Sequence, residues 1–185
     1  QELVLELSAI FGSGFNYDGF MIPRRIVFRN KWIRHGGQYP VYHLRLFRRY
    51  KGKCEEKLYD QHYIVCGKLL ILRGDIINVI NPDLKLWRER HKKWAYLEAK
   101  GVSLNQNKAV NMKFNGNPIE RKNWLRYKIY YKMPLFIRSL VYFLYRYIYK
   151  LGFMDGIQGL FYHFWEGLWY RLFVDFKIFL NRFKK

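Results

Sequence analysis

The chain changes its hydrophobic period once, near residue 120, and that change limits what it can fold into. Before it, short runs alternate polar and apolar residues with the period of two that a half-buried strand needs, as in His43-Leu44-Arg45-Leu46-Phe47. After it, Leu135, Phe136, Leu140, Phe143, Leu144, Tyr147, Ile148 and Leu151 recur at helical spacing. The expected class is α/β. A mixed sheet with its helices should occupy residues 1–101, a polar, Asn-rich linker 102–120, and amphipathic helices 121–185.

Within the first part, residues 20–28 (FMIPRRIVF) form a strand candidate that Pro23 demotes to an edge or bulged position. Tyr63-Ile64-Val65 is a second strand, and residues 68–80 are apolar and β-branched with an interruption at Arg73-Gly74-Asp75. QELVLELSAIF reads as a helix entered midway, with Leu3, Leu7, Ile10 and Phe11 on one face and Gly12 and Gly14 ending it. Asn81 is placed to cap a helix over 82–101 with Pro82 in its first turn. That helix carries Trp87, His91, Trp94 and Glu98 near one face, either a core stripe or a functional one.

Between the strands, polar groups of both signs gather on loops, where a rigid scaffold presents binding or catalytic groups. A Gly-Gly loop carries Arg34 and His35, a cationic loop runs over 48–53, and Glu55, Glu56 and Asp60 precede His62. Asp60 is the preferred general base, with Glu56 as its rival. Either could equally be a solvated salt-bridge partner. Arg34, His35, Arg45 and Arg48 could hold a phosphate or an anionic acceptor through planar, bidentate donors.

The charge is lopsided: 34 Lys and Arg against 14 Asp and Glu, a net +20. It implies an anionic partner, whether nucleic acid, membrane or phosphorylated substrate. Residues 121–150 contain eight Lys or Arg and no Asp or Glu, and Phe, Tyr and Trp crowd the last third. Neither helix has 18 uninterrupted apolar residues, as a membrane span would. A helix lying in the membrane interface fits better, with Arg138, Arg146 and Lys150 toward the headgroups and Trp165 and Trp169 inserted. The competing reading is a nucleic-acid binder, but stacking platforms spread aromatics over a sheet, and here they concentrate in terminal helices. A noncatalytic membrane-anchoring module is the third. Cys54 and Cys66 make no framework and suit a reducing compartment.

Four pieces, WIRHGGQYPVYHLRLFRR, YDQHYIVCGK, HKKWAYLEA and LGFMDGIQGLFYHFWEGLWYRLFVDFK, occur in this order. In them the chain resembles the second half of bacterial family 2 glycosyltransferases, above all those that extend lipopolysaccharide core or related cell-surface glycans. The resemblance implies the acceptor half of a GT-A-like fold and inverting transfer from a nucleotide sugar to a lipid-linked or lipopolysaccharide-type acceptor. It implies a peripheral place on the cytoplasmic face of the bacterial inner membrane and no nucleic-acid partner. It favours Asp60 as base with His62 beside it, and His91 and Trp94 as a functional face. Relatives more often carry Glu at position 61 and Tyr at position 94, where this chain has Gln61 and Trp94. It also implies a divalent metal, Mg or Mn, held by an Asp-x-Asp motif upstream of Gln1, so that this stretch alone would not transfer sugar.

Overall fold

The computed structural model describes residues 1–80, 83–104 and 112–183. The molecule is mixed α/β, as the change of period requires. Its sheet is organised around β1 (Gly19–Phe28), which pairs antiparallel with β2 (Lys31–Ile33) and β3 (Val41–Phe47). It pairs parallel with two further strands, β6 (Leu69–Ile71) and β7 (Ile76–Ile80). Between them in the chain, β4 (Gly52–Cys54) and β5 (Tyr63–Val65) form a separate two-stranded ribbon. Cys54 and Cys66 are free and exposed.

β1 is therefore the central strand, not the edge that Pro23 suggested. The reason is local. β6 covers β1 as far as Met21 and β7 resumes at Arg24, so Pro23 falls in the gap where no N–H is required. The register with β3 also shifts between Phe20 and Met21, a bulge that precedes Pro23, which itself stays in register with Tyr42.

α1 (Glu2–Gly12) lays Leu3, Leu7 and Ile10 on Phe20, Ile22 and Leu72 of the sheet. Its Glu6 carboxylate accepts the backbone N–H groups of Arg73 and Gly74, which fixes the break between β6 and β7. α2 (Leu84–Ser103) is capped by Asp83, whose carboxylate accepts the N–H groups of Lys85 and Leu86. The expected cap, Asn81 with Pro82, lies outside the described residues, as does 105–111 of the expected linker. From Pro118 that linker is helical: α3 (Pro118–Lys128) opens on a capping box between Asn117 and Glu120.

The basic stretch 121–150 is not one helix. Pro134 forces Met133 to extended backbone and stops the chain after the 3-10 turn Tyr130–Lys132. α4 (Ile137–Leu144) then restarts and widens into a π segment, Tyr145–Tyr149. The aromatic stretch is continuous, from α5 (Gly156–Tyr162) through a second π segment, His163–Trp169, into α6 (Tyr170–Phe183). Ala95 and Ala99 of α2, both fully buried, let α6 approach closely with Tyr170, Val174 and Ile178.

These helices turn their cations inward, against expectation. Arg138 is 2 % exposed and Arg146 5 %. Arg138 donates through Nε to Asp175 Oδ1 at 2.7 Å, and its Nη2 lies on the same oxygen; the Ser139 hydroxyl and the Phe136 N–H reach the other oxygen. Arg146 donates to the Gly36 carbonyl. Neither can face lipid headgroups as expected; a charge with a buried partner is unavailable to solvent. Lys150 remains exposed. Apolar side chains face outward beside it: Ile137, Leu140, Leu144 and Ile148 along one side, then Ile157, Phe161 and Phe164.

Candidate functional site

The loop 34–38 joins this helical part to the sheet. His35 donates its backbone N–H to Asp155 at 2.9 Å and sets Nδ1 2.8 Å from the other carboxylate oxygen. Gly36 donates to the Lys150 carbonyl, and the Tyr162 hydroxyl donates to Gln38. Gly36 has φ +67°, and a Cβ there would overlap the His163 ring, so only glycine fits. The same docking folds the helices over β1 and β7 and closes one side of a cleft of about 740 Å³.

The cleft is walled by β1 and β7, by residues 58–61, by α2 and by Tyr162 and Glu166. It gathers Asp60, His91 and Trp94 from the residues expected to be functional. The others lie elsewhere. Arg34 is exposed and stacks on Trp32, Arg45 is exposed, and Arg48 donates to the carbonyls of Tyr17 and Phe15. His35 is held by Asp155. Glu56 is exposed and outside the cleft, while its neighbour Glu55 is buried, accepting from Lys57 Nζ at 2.7 Å and the His62 N–H at 3.0 Å. His62 places Nε2 3.9 Å from Asp60 Oδ1. Trp165 and Trp169 are half-buried against Trp87, the first edge-on and the second tilted.

Asp60 occupies a left-handed backbone position, φ 54°, which Asp tolerates better than most residues. Its Oδ2 accepts from Arg126 Nη1 at 2.7 Å. Burial opposes its ionisation, but Arg126 and Lys122 outweigh burial and hold the carboxyl well below the usual range. Arg126 continues to Glu98 Oε1 at 2.7 Å, and Arg171 reaches the same oxygen at 2.7 Å. The result is a chain of alternating charges, Asp60–Arg126–Glu98–Arg171, completed by the Tyr131 and Tyr170 hydroxyls on Glu98. Burial opposes ionisation of Glu98 too, yet the two guanidiniums bring its carboxyl down to about 2.

Glu166, which the sequence did not single out, faces the same cleft. The π segment carries it there, since one extra residue per turn rotates the helix face. Its Oε1 accepts from Trp87 Nε1 at 3.3 Å and lies 3.1 Å from His91 Nε2. Its second oxygen has no such partner among the described residues. Arg24 and Arg90 add positive charge, with Arg90 over the Trp94 ring, 5.0 Å from its centroid. Arg24 Nε is buried with no partner among the described residues.

The arrangement thus offers aromatic faces, cations and two carboxylates, each with one oxygen that accepts no hydrogen bond among the described residues. Apolar sugar faces pack on aromatic rings while their hydroxyls need such acceptors and donors. Among the described residues no three His, Cys, Asp or Glu side chains converge as a metal site. No helix among them is long and apolar enough to cross a membrane. Compared with protein-family models, curated proteins and solved structures, the chain matches none.

Proposed function

We propose that this chain forms the acceptor side of a family 2, GT-A-like glycosyltransferase working at a membrane surface. The observation that carries the reading is the cleft itself. It sets Asp60 and Glu166 against Trp87 and Trp94, next to helices whose outward face is apolar. The aromatic walls take the sugar ring of a lipid-linked or lipopolysaccharide-type acceptor. One carboxylate receives the acceptor hydroxyl's proton as that oxygen bonds to the donor sugar carbon and the nucleotide diphosphate departs. Arg24 and Arg90 offset negative charge in the cleft.

The membrane reading rests on the apolar rows. Ile148 is 58 % exposed and Ile137 56 %, and a soluble monomer seldom leaves such side chains in register. Exposed Lys128, Lys132 and Lys150 can meet an anionic headgroup layer on the inner leaflet.

The test is sugar transfer by the full-length gene product, given nucleotide sugars, divalent metal and an envelope lipid extract. Asp60→Asn or Glu166→Gln should lower turnover by at least about a hundredfold, the scale of a lost general base. Undiminished turnover in both variants removes the cleft from the chemistry.

A further inference from the structure

A groove of about 420 Å³ adjoins the cleft and shares Ile80, Trp87, Tyr162 and Glu166 with it. Three tryptophans form its wall in mutual contact: Trp87–Trp165 at 5.6 Å and Trp165–Trp169 at 5.7 Å between ring centroids, both edge-on, and Trp87–Trp169 at 5.7 Å, tilted. Phe173 stacks on Trp169 and extends the wall. Its lining is mainly apolar; of its polar groups, Glu166 Oε1 and the Trp87 N–H bind each other and the Tyr162 hydroxyl binds Gln38. Three exposed cations stand at the edge: Arg29, Arg88 and Lys92, the last two one turn apart on α2.

We propose that this groove holds the hydrocarbon chain of a lipid phosphate, with the phosphate against Arg29, Arg88 and Lys92. The proposal rests on the membrane-surface reading above and names the lipid part of its ligand. A peptide would bring backbone N–H and C=O groups that a mainly apolar wall leaves largely unpaired, at a cost a hydrocarbon chain avoids. The volume lies in the roughly 300–1,000 Å³ range of small-molecule sites. Arg29, Arg88 and Lys92 outnumber Glu166, the one acidic residue among the described residues that line the groove, and arginine and lysine together favour phosphate. The groove also continues into the apolar surface. The exposed Phe164 has its ring edge on Trp165, and Arg29 lies over exposed Phe161 at 5.2 Å. A chain can therefore enter from the bilayer without crossing water. Its headgroup would stand beside the cleft that takes the sugar.

The tryptophans report occupancy directly. Titration of the purified chain with farnesyl phosphate below its micelle concentration should quench tryptophan fluorescence saturably. Farnesol should bind at least about tenfold more weakly, and inorganic phosphate should cause no quenching. Arg88→Gln with Lys92→Gln, both exposed, should bring farnesyl phosphate down to the farnesol level and leave farnesol unchanged. Trp169→Ala should weaken both amphiphiles, with circular dichroism confirming the fold. Absent saturable quenching, equal binding of alcohol and phosphate, or a phosphate preference that survives in the double variant each overturns the proposal. Lipid binding without sugar transfer would sink the transferase reading and leave the groove standing. Transfer without lipid binding would do the reverse.

Discussion

His91 faces an acceptor with each ring nitrogen: Nδ1 lies 2.8 Å from the Trp87 carbonyl and Nε2 3.1 Å from Glu166 Oε1. A carbonyl can only accept, so Nδ1 carries a proton. Burial favours the neutral acid, but the His91 hydrogen bond and the Trp87 N–H hold the Glu166 carboxyl below its ordinary value. Glu166→Gln puts a neutral amide against Nε2 and should move the Nε2 ¹⁵N chemical shift, while Nδ1 keeps its bond to the Trp87 carbonyl. Identical ring shifts in wild type and variant would break the pairing argument.

The Asp60–Arg126–Glu98–Arg171 chain is strongest at its buried centre. Removing the Glu98 charge leaves two guanidiniums facing each other. Glu98→Gln should cost about 3–5 kcal/mol in urea unfolding, as for a broken buried pair. The Glu98 carboxyl is depressed from 4.5 to about 2, so its contribution is complete above 4.5 and disappears as pH falls toward 2. A loss below about 1 kcal/mol would mean that water reaches the pair.

His163 makes the opposite bond count. It is fully buried, and neither ring nitrogen has a partner among the described residues. Burial and then Arg146 lower its pKa from 6.5 to about 3. The unfolded ring thus binds a proton near 6.5 and the folded ring only near 3, so stability falls on acidification between those values. The slope from His163 alone is about 1.4 kcal/mol per pH unit. His43, lowered to about 3 by burial and Arg24, adds in the same direction. His163→Leu should flatten the dependence between pH 6.5 and 4.5, above the range where Glu98 titrates. An unchanged slope in denaturation at stepped pH would locate the titrating group elsewhere.

Much of this was legible in residue order. β3, β5 and the break at Arg73-Gly74-Asp75 follow from alternation and turn chemistry, and the His91–Trp94 face from helical spacing. The side toward which a stripe points was not legible, because period alone leaves the sign of burial open. Between residues 156 and 183 the only carboxylates are Glu166 and Asp175, isolated among aromatics. A lone acid in such a helix must find a buried hydrogen-bond donor, and that requirement points to His91 and Arg138. The central place of β1 was hidden because Pro23 falls between two partners distant in sequence.

The inverted tail makes its own prediction about membrane binding. Because Arg138 is spent on Asp175, Arg138→Gln should lower stability rather than loosen attachment to lipid. Leu144 and Ile148, 42 % and 58 % exposed, can instead be changed without unpacking the core. Leu144→Asp with Ile148→Asp should reduce co-sedimentation of the full chain with anionic vesicles at least about tenfold, because charge opposes insertion of an apolar row. The deficit should persist at high salt, where headgroup attraction is screened over about 3 Å at 1 M. Lys150→Gln should weaken binding only at low salt, since its exposed ammonium acts through that attraction. Wild-type sedimentation by the double-aspartate variant at high salt would place the apolar row against something other than lipid.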